Sequence, residues 1–492
     1  MTWLAGLIGL PCVTSPLVFA FGHRQNALQR VQARDLALLM LVPIWLALFF
    51  VMRAFAASEV LEIEYGAISL RLDGIGLVII VLAVLLTTLV TIFSREDLIG
   101  TVGEEKFYAS LLLMLGTVIG LVCANDLFNM WVWFEGMAIS SYLLVAYHRQ
   151  REDALGASTK YFIQTVSGSI LVLFGIALVL MHNGTLDLDE MTASASPLLI
   201  VAGALFVLGF GVKLALFPNY TWLPDSYCEA PTGVSALLSG VVTMTGLIAM
   251  MRALAIIIVT PAAWGGLLMA LGMINIAAGT MLAFSQTKVK RILAYSSIGH
   301  IGYVVLAIGI GISAGSMMGL RSGMLHLFIH GLMKALAFLA LGGLAYATGC
   351  RNGASADFTV EDLKGLAQRY PGVALSLAAA CLSLVGVPPF GGFVSKFQIL
   401  LAGVQQPSGW IVLLIVVAAL FTVAALAYFL PIVNTLYDMQ PGPSREALPN
   451  IPLSMRLPIF ILAIALVVVG LWPGLLDSII EPASAALLTL FG

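Results

Sequence analysis

Residues 371–403 read PGVALSLAAACLSLVGVPPFGGFVSKFQILLAG, 33 residues whose one charged side chain is Lys396. A helix needs about 20 apolar residues to cross a bilayer core of roughly 30 Å, so this run is too long for one straight crossing. Pro388, Pro389, Gly391 and Gly392 interrupt the helical pattern near its middle. The run therefore predicts two half-helices with a lysine just past the break. The surrounding sequence has the same apolar texture: of 492 residues, 60% are apolar and 10% charged, with mean hydropathy +1.04. Soluble domains carry roughly 25% charge, so a water-soluble globule is excluded, as is a disordered chain. The 48 glycines and 20 methionines suit helices packed closely in lipid. A net charge of −2 excludes a basic face for nucleic acid. Cys12, Cys123, Cys228, Cys350 and Cys381 form no CxxC motif, so neither a disulfide framework nor an iron–sulfur site is expected.

The fold class predicted is an all-α polytopic membrane protein. Fourteen apolar runs are read near 3–21, 36–57, 74–94, 107–123, 125–147, 160–182, 196–219, 231–254, 264–285, 291–312, 315–346, 371–403, 409–437 and 456–476. The first lacks a charged n-region and a small-residue cleavage site and so reads as a span. Basic residues test the count. Arg24, Arg30, Arg34, Arg95, Lys106, Arg149, Arg151, Lys160, Lys288, Lys290, Arg291, Arg351, Lys364, Arg369, Arg445 and Arg456 fall in loops on one side, 16 in all. The opposite side holds 4, Arg53, Arg71, Arg252 and Arg321. This positive-inside bias predicts both termini on the outer side, and the expected location is a bacterial or archaeal inner or cell membrane.

By this map Lys213, Lys334 and Lys396 lie within the membrane, where an ammonium costs at least about 2.5–3.5 kcal/mol. Snorkelling or a structural carboxylate explains any one of them, but three in separate helices point to function. Glu135 sits mid-span in NDLFNMWVWFEGMAISSYLLVAY (125–147), where the bland alternative is a helix-packing carboxylate. Lys213 lies in FGVKLALFPNYTWLPDSYCEAPTGVSALLSG (210–240), a second segment broken by Pro218, Pro224 and Pro231. Two Pro/Gly-broken segments, one per half and each beside a lysine, are a sign of a transporter built from repeats. His326, His330 and Lys334 recur at i, i+4 and i+8, one helix face, and His300 and Tyr303 extend that line. A lone histidine is more often a packing residue, but three titratable groups on a face suit a proton relay. Metal ligation by the two histidines lacks a third ligand. No P-loop, dinucleotide fingerprint or nucleophile–base set is present, the pairs Gly209/Gly211 and Gly309/Gly311 reading as helix packing, so no cofactor and no metal is expected.

These residues resemble the antiporter-like membrane subunits shared by respiratory complex I (NuoM and NuoN types), energy-converting hydrogenases and Mrp cation/proton antiporters. The resemblance covers roughly 70–440 and rests on NDLFNMWVWFE (125–135), the 212–240 stretch, KRILAYSSIGHIGY (290–303), HGLMKALAFLALGG (330–343) and GVPPFGGFVSKF (386–397). WLPDSY (222–227) is most similar to the D subunit of Mrp. The resemblance implies two inverted five-helix repeats, with discontinuous seventh and twelfth helices. The units are then 1–106 (helices 1–3), 107–254 (helices 4–8), 255–437 (helices 9–13) and 438–492 (helix 14 and tail). It implies that Glu135 modulates Lys213, that Lys334 is the central lysine, and that Lys396 is the exit-side lysine. The family's eighth helix often carries a lysine where this sequence has Met244. The tail 477–492 is too short for the lateral helix of NuoL-type subunits.

The expected function is proton, or cation/proton, translocation through Glu135, Lys213, His300, His326, His330, Lys334 and Lys396. Expected partners are the bilayer, H+, Na+ or K+, and other membrane subunits of a complex I-like, hydrogenase or Mrp assembly. The alternatives are a Mrp-type subunit without a redox partner, a stand-alone antiporter, or a diverged structural subunit.

Overall fold

The computed structural model describes residues 2–23, 32–66, 68–191, 194–255, 257, 259–350, 354–438 and 449–491. Arg24, Arg30, Arg351 and Arg445 of the basic side lie outside these residues. The described chain is almost wholly helical, because a backbone in hydrocarbon must satisfy its own polar groups. In order come α1 (Thr2–Gly22), α2 (Ala33–Ser58), a β1–β2 hairpin (Leu61–Tyr65 and Ile68–Leu72), α3 (Gly74–Asp97), α4 (Glu104–Cys123), α5 (Leu127–Val145) and α6 (Glu152–Asn183). Next come α7 (Pro197–Lys213), α8 (Trp222–Glu229), α9 (Thr232–Leu237), α10 (Thr243–Ala255), α11 (Pro261–Ala283), α12 (Val289–Ala314) and α13 (Met317–Ala347). The chain closes with α14 (Leu366–Arg369), α15 (Pro371–Val385), α16 (Gly391–Val404), α17 (Gly409–Ala424), α18 (Leu426–Leu436), α19 (Leu453–Leu471) and α20 (Asp477–Phe491).

Among the described residues, 12 helices are long and apolar enough to cross a membrane, where the sequence reads fourteen runs. Three runs drop out and one segment is added. Run 196–219 stops as a helix at Lys213, and run 371–403 is α15 plus α16, parted over residues 386–390. Run 125–147 is the continuous 19-residue helix α5, too polar in sequence to count among the twelve. Pro473–Phe491, whose residues from 477 on are read as a short tail, is instead an apolar helical segment. Its contacts lay it across one end of the bundle. Asp477 pairs with Arg321 near the start of α13 at 2.6 Å, and its Pro482 backbone abuts Gly74, the first residue of α3. Ile480, Ala483, Ser484 and Leu487 supply the buried stripe of α20, at helical spacing.

α12 and α13 form the centre, both buried along nearly their whole length, with α3 and α9 against α13. The outer helices α1, α2, α6, α17 and α19 expose apolar side chains such as Phe49, Phe174, Leu420 and Ile464 to the surroundings, as lipid-facing helices do. Charges gather at the two ends. At one, Arg151 and Lys288 share Asp357 (2.9 and 2.7 Å), and Lys160 and Arg291 share Asp225 (2.8 and 3.3 Å). At the other, a cavity of about 1000 Å3 is lined by Arg71, Arg252 and Arg321 with Asp73, Asp189 and Asp477.

Candidate functional site: a line of buried amines and imidazoles

Lys213 is the last residue of α7 and is fully buried. The chain leaves the helix through Ala215, a non-glycine residue in the left-handed region (φ 52), and Pro218 prevents its continuing. The freed backbone groups find partners. Asn275 of α11 accepts from Phe217 N at 2.7 Å and donates to Ala215 O at 3.1 Å. Trp222, opening α8, donates Nε1–H to Val212 O at 2.7 Å. The lysine Nζ donates to Tyr161 Oη and lies 4.7 Å from the centre of that ring and 6.0 Å from that of Phe134. Glu135, half-buried beside Phe134, leaves Oε1 buried with no hydrogen bond. The expected Glu135–Lys213 pair is therefore open in this structure: the lysine is held by a tyrosine.

α9 leads through one π-helical turn, Leu238–Val242, into α10. Gly240 in this turn meets the backbone of Gly331 on α13: a Cβ there would lie 3.2 Å from Gly331 O. Such wide turns bring backbone and side chains close and recur at functional sites. Ser239 Oγ lies 3.0 Å from Ser297 Oγ of α12. One turn along α13, Lys334 donates to Leu293 O at 2.7 Å and to Ser296 Oγ. His330 is buried with both ring nitrogens unbonded. Its ring centre stands 5.3 Å from that of His300, whose Nδ1 is 3.0 Å from His326 Nε2. His326 Nδ1 in turn is 2.8 Å from Ser395 Oγ, the residue before Lys396.

The second break is built differently. α15 ends at Gly386, with φ +96, a conformation that favours glycine. Gly392 permits the two halves to touch, since a Cβ there would fall 1.9 Å from Ser383 O. Lys396 donates to the terminal carbonyls of α15, Leu384 O at 2.8 Å and Val385 O at 3.3 Å. A cation belongs there, where the carbonyls of a helix end carry partial negative charge. Its Nζ lies 4.8 Å from the centre of the Tyr303 ring, and Tyr303 Oη is anchored on Ala418 O and Thr422 Oγ1 (2.8 and 2.6 Å).

Residues 124–422 match the family described as NADH:quinone oxidoreductase/Mrp antiporter, TM. The NADH-quinone oxidoreductase subunit N of Desulforudis audaxviator is 31% identical over 430 residues, 81% of this chain and 82% of that one. The chain belongs to this family. The F(420)H(2) dehydrogenase subunit N of Methanosarcina mazei is 28% identical and covers 90% of each chain. Among solved structures, a chain of the membrane-bound sulfane sulfur reductase, an archaeal respiratory membrane complex, superposes with TM-score 0.86 at 26% identity over 99% of this chain and 98% of that one. A chain of the Mrp complex from Dietzia sp. DQ12-45-1b has the same fold, with TM-score 0.86, 22% identity and full coverage of both.

Within this antiporter-family chain, the structure gathers His300, His326, His330 and Lys396 into one cluster, with Lys334 a turn beyond His330. Lys213 packs on α10, beside Phe134 and Tyr161. Met244 is buried on α10, and Gly246 of that helix packs directly on the Lys213 side chain. Tyr161, Ser296 and Ser395 escaped sequence reasoning, because a hydroxyl in an apolar run carries no charge to mark it. Lys290, read as a loop cation, is buried to 1% exposure and donates to Cys228 O and Ala230 O at the α8–α9 junction.

Proposed function

We propose that this chain carries protons across the membrane along Glu135, Lys213, Lys334, His330, His300, His326 and Lys396, as the antiporter-like subunit of a larger membrane assembly. One observation carries the reading: three buried lysines, two of them at helix breaks, with His300, His326 and Ser395 in hydrogen-bond contact between the centre and Lys396. Uncompensated ammonium groups are too costly to keep in hydrocarbon as packing, and exchange of partners lets each one release and regain a proton. Lys213 alternates between Tyr161, its partner here, and Glu135; approach of the carboxylate holds the proton and withdrawal frees it. Lys396 exchanges its proton at the end of α15, where the break opens backbone carbonyls to water. Energy enters through a neighbouring subunit that moves Glu135 or shifts its charge, a coupling between two sites.

In this reading the chain crosses the membrane fourteen times as two inverted repeats, 107–254 and 255–437, flanked by 1–106 and 438–492. α20 lies along the outer face, and both termini are on that side. The neighbouring subunits are those of a complex I-like, hydrogenase or Mrp assembly, with Na+ or K+ as further cargo beside H+. The proposal is tested in inverted vesicles holding the intact assembly. Lys213→Ala abolishes formation of the pH gradient while the assembly survives on native gels; full pumping by this variant would falsify the assignment.

A further inference from the structure

α10, which packs on Lys213 through Gly246, carries Met244 and no ionisable residue before Arg252. Hydroxyl groups occupy the region instead. Tyr161, which holds Lys213, stacks on Trp222 with centroids 4.2 Å apart. Five residues along α8, Tyr227 meets the edge of the same indole at 6.2 Å. Tyr227 is wholly buried, and its hydroxyl lies near those of Thr243 and Ser239 without closing a hydrogen bond to either. From Ser239 the next contact is Ser297 at 3.0 Å; Ser297 and Ser296 both donate to Leu293 O at 3.0 Å, and Lys334 donates to that same carbonyl and to Ser296 Oγ. A buried hydroxyl without a partner costs about 1–3 kcal/mol and is rare in folded proteins. Here it belongs to the group of hydroxyls between two buried amines, where a relay needs a group free to take a new partner.

We infer that protons pass between Lys213 and Lys334 over a line of hydroxyls, Tyr161, Tyr227, Ser239, Ser297 and Ser296, with the uncommitted Tyr227 hydroxyl as its gate. The inference rests on the reading of the two lysines as proton carriers. In each transfer one O–H bond forms on the receiving oxygen as its own O–H bond breaks toward the next. The Lys213 ammonium ends as the amine, the Lys334 amine ends as the ammonium, and rotation of the hydroxyls resets the line. One water molecule or a turn of the Tyr227 hydroxyl bridges the step from Tyr161, so Tyr227 opens or closes the connection without itself becoming charged.

The test uses inverted vesicles with the intact assembly, energised by NADH or by an imposed Na+ gradient, and reads acidification with a pH-quenched dye. Tyr227→Phe and Ser239→Ala each slow translocation about a hundredfold, the loss typical of a positioned proton-transfer group, with the assembly intact. Tyr227→His, which restores a group able to accept and donate, recovers a large part of it. Wild-type rates in both Tyr227→Phe and Ser239→Ala, with Lys213→Ala inactive, overturn the hydroxyl line and leave the lysine assignment standing. Loss in Tyr227→His as deep as in Tyr227→Phe, with Ser239→Ala unimpaired, also overturns it. Normal pumping by Lys213→Ala removes both readings together. Should Tyr227→Phe fail to assemble, Ser239→Ala and Ser297→Ala decide by the same rates.

Discussion

Lys396 shows how one residue type serves two purposes. Its ammonium satisfies the last carbonyls of α15 and leans on the Tyr303 ring, so it stabilises the break that it also uses. Removing it separates these purposes by magnitude. Lys396→Met leaves two buried carbonyls unpaired, about 1–3 kcal/mol each, and takes away the titrating group. We expect a lower unfolding temperature of the purified assembly and no proton translocation. In Tyr303→Phe, by contrast, the ring beneath the ammonium remains and only the anchor on Ala418 and Thr422 is lost. A Lys396→Met variant that translocates normally would mean the lysine is structural. The sequence marks Lys396, Lys334 and Lys213 because charge in an apolar run is conspicuous. It does not mark Tyr161, Tyr227 or Ser296, whose hydroxyls are common in membrane helices and acquire meaning through what they face.

At the scale of elements, both breaks are visible as Pro/Gly interruptions, but how each is held is not. The α7 break depends on Asn275, a single amide on a helix 58 residues away in sequence from the amide it accepts from. Asn275→Ala leaves the part-buried Phe217 N and the buried Ala215 O unpaired, about 1–3 kcal/mol for the carbonyl alone. Thermal unfolding shifts down accordingly, and translocation falls because Lys213 loses its fixed place; unchanged stability would show that the break is self-supporting. The π turn at Leu238–Val242 is likewise unreadable in sequence, since it arises where Gly240 and Gly331 press together. Nor does periodicity distinguish a crossing helix from one lying across helix ends, which is why α20 is recognisable only from its contacts with Gly74 and Arg321.

For the molecule as a whole, the end rich in basic residues is tied by carboxylates from distant segments. Asp357, in the connection after α13, binds Lys288 before α12 and Arg151 before α6. The hydrogen bond from Lys288, then that from Arg151, holds the Asp357 carboxyl below its ordinary value of 3.8, against the opposing effect of burial. A carboxylate with a lowered folded value stabilises the fold above its unfolded value and ceases to do so as pH falls through the lowered one. With Asp357 57% exposed, the tie is worth roughly 0–1 kcal/mol. Asp357→Asn therefore unfolds slightly below the unmodified assembly at pH 7, and the gap narrows below about pH 5. A gap that is constant with pH would assign it to packing.

Composition and charge placement by themselves determined that this chain is a helical membrane protein with two interrupted segments and titratable groups at bilayer depth. They suffice because a bilayer imposes length, apolarity and internal hydrogen bonding on every segment independently. Tertiary structure alone decided which groups meet: Lys213 with Tyr161 rather than Glu135, His300 with His326, Lys334 with Ser296. Those pairings join residues up to 52 positions apart, and they follow from how helices rotate and cross in a packed bundle. No local pattern records that rotation, because each helix face is apolar almost all round.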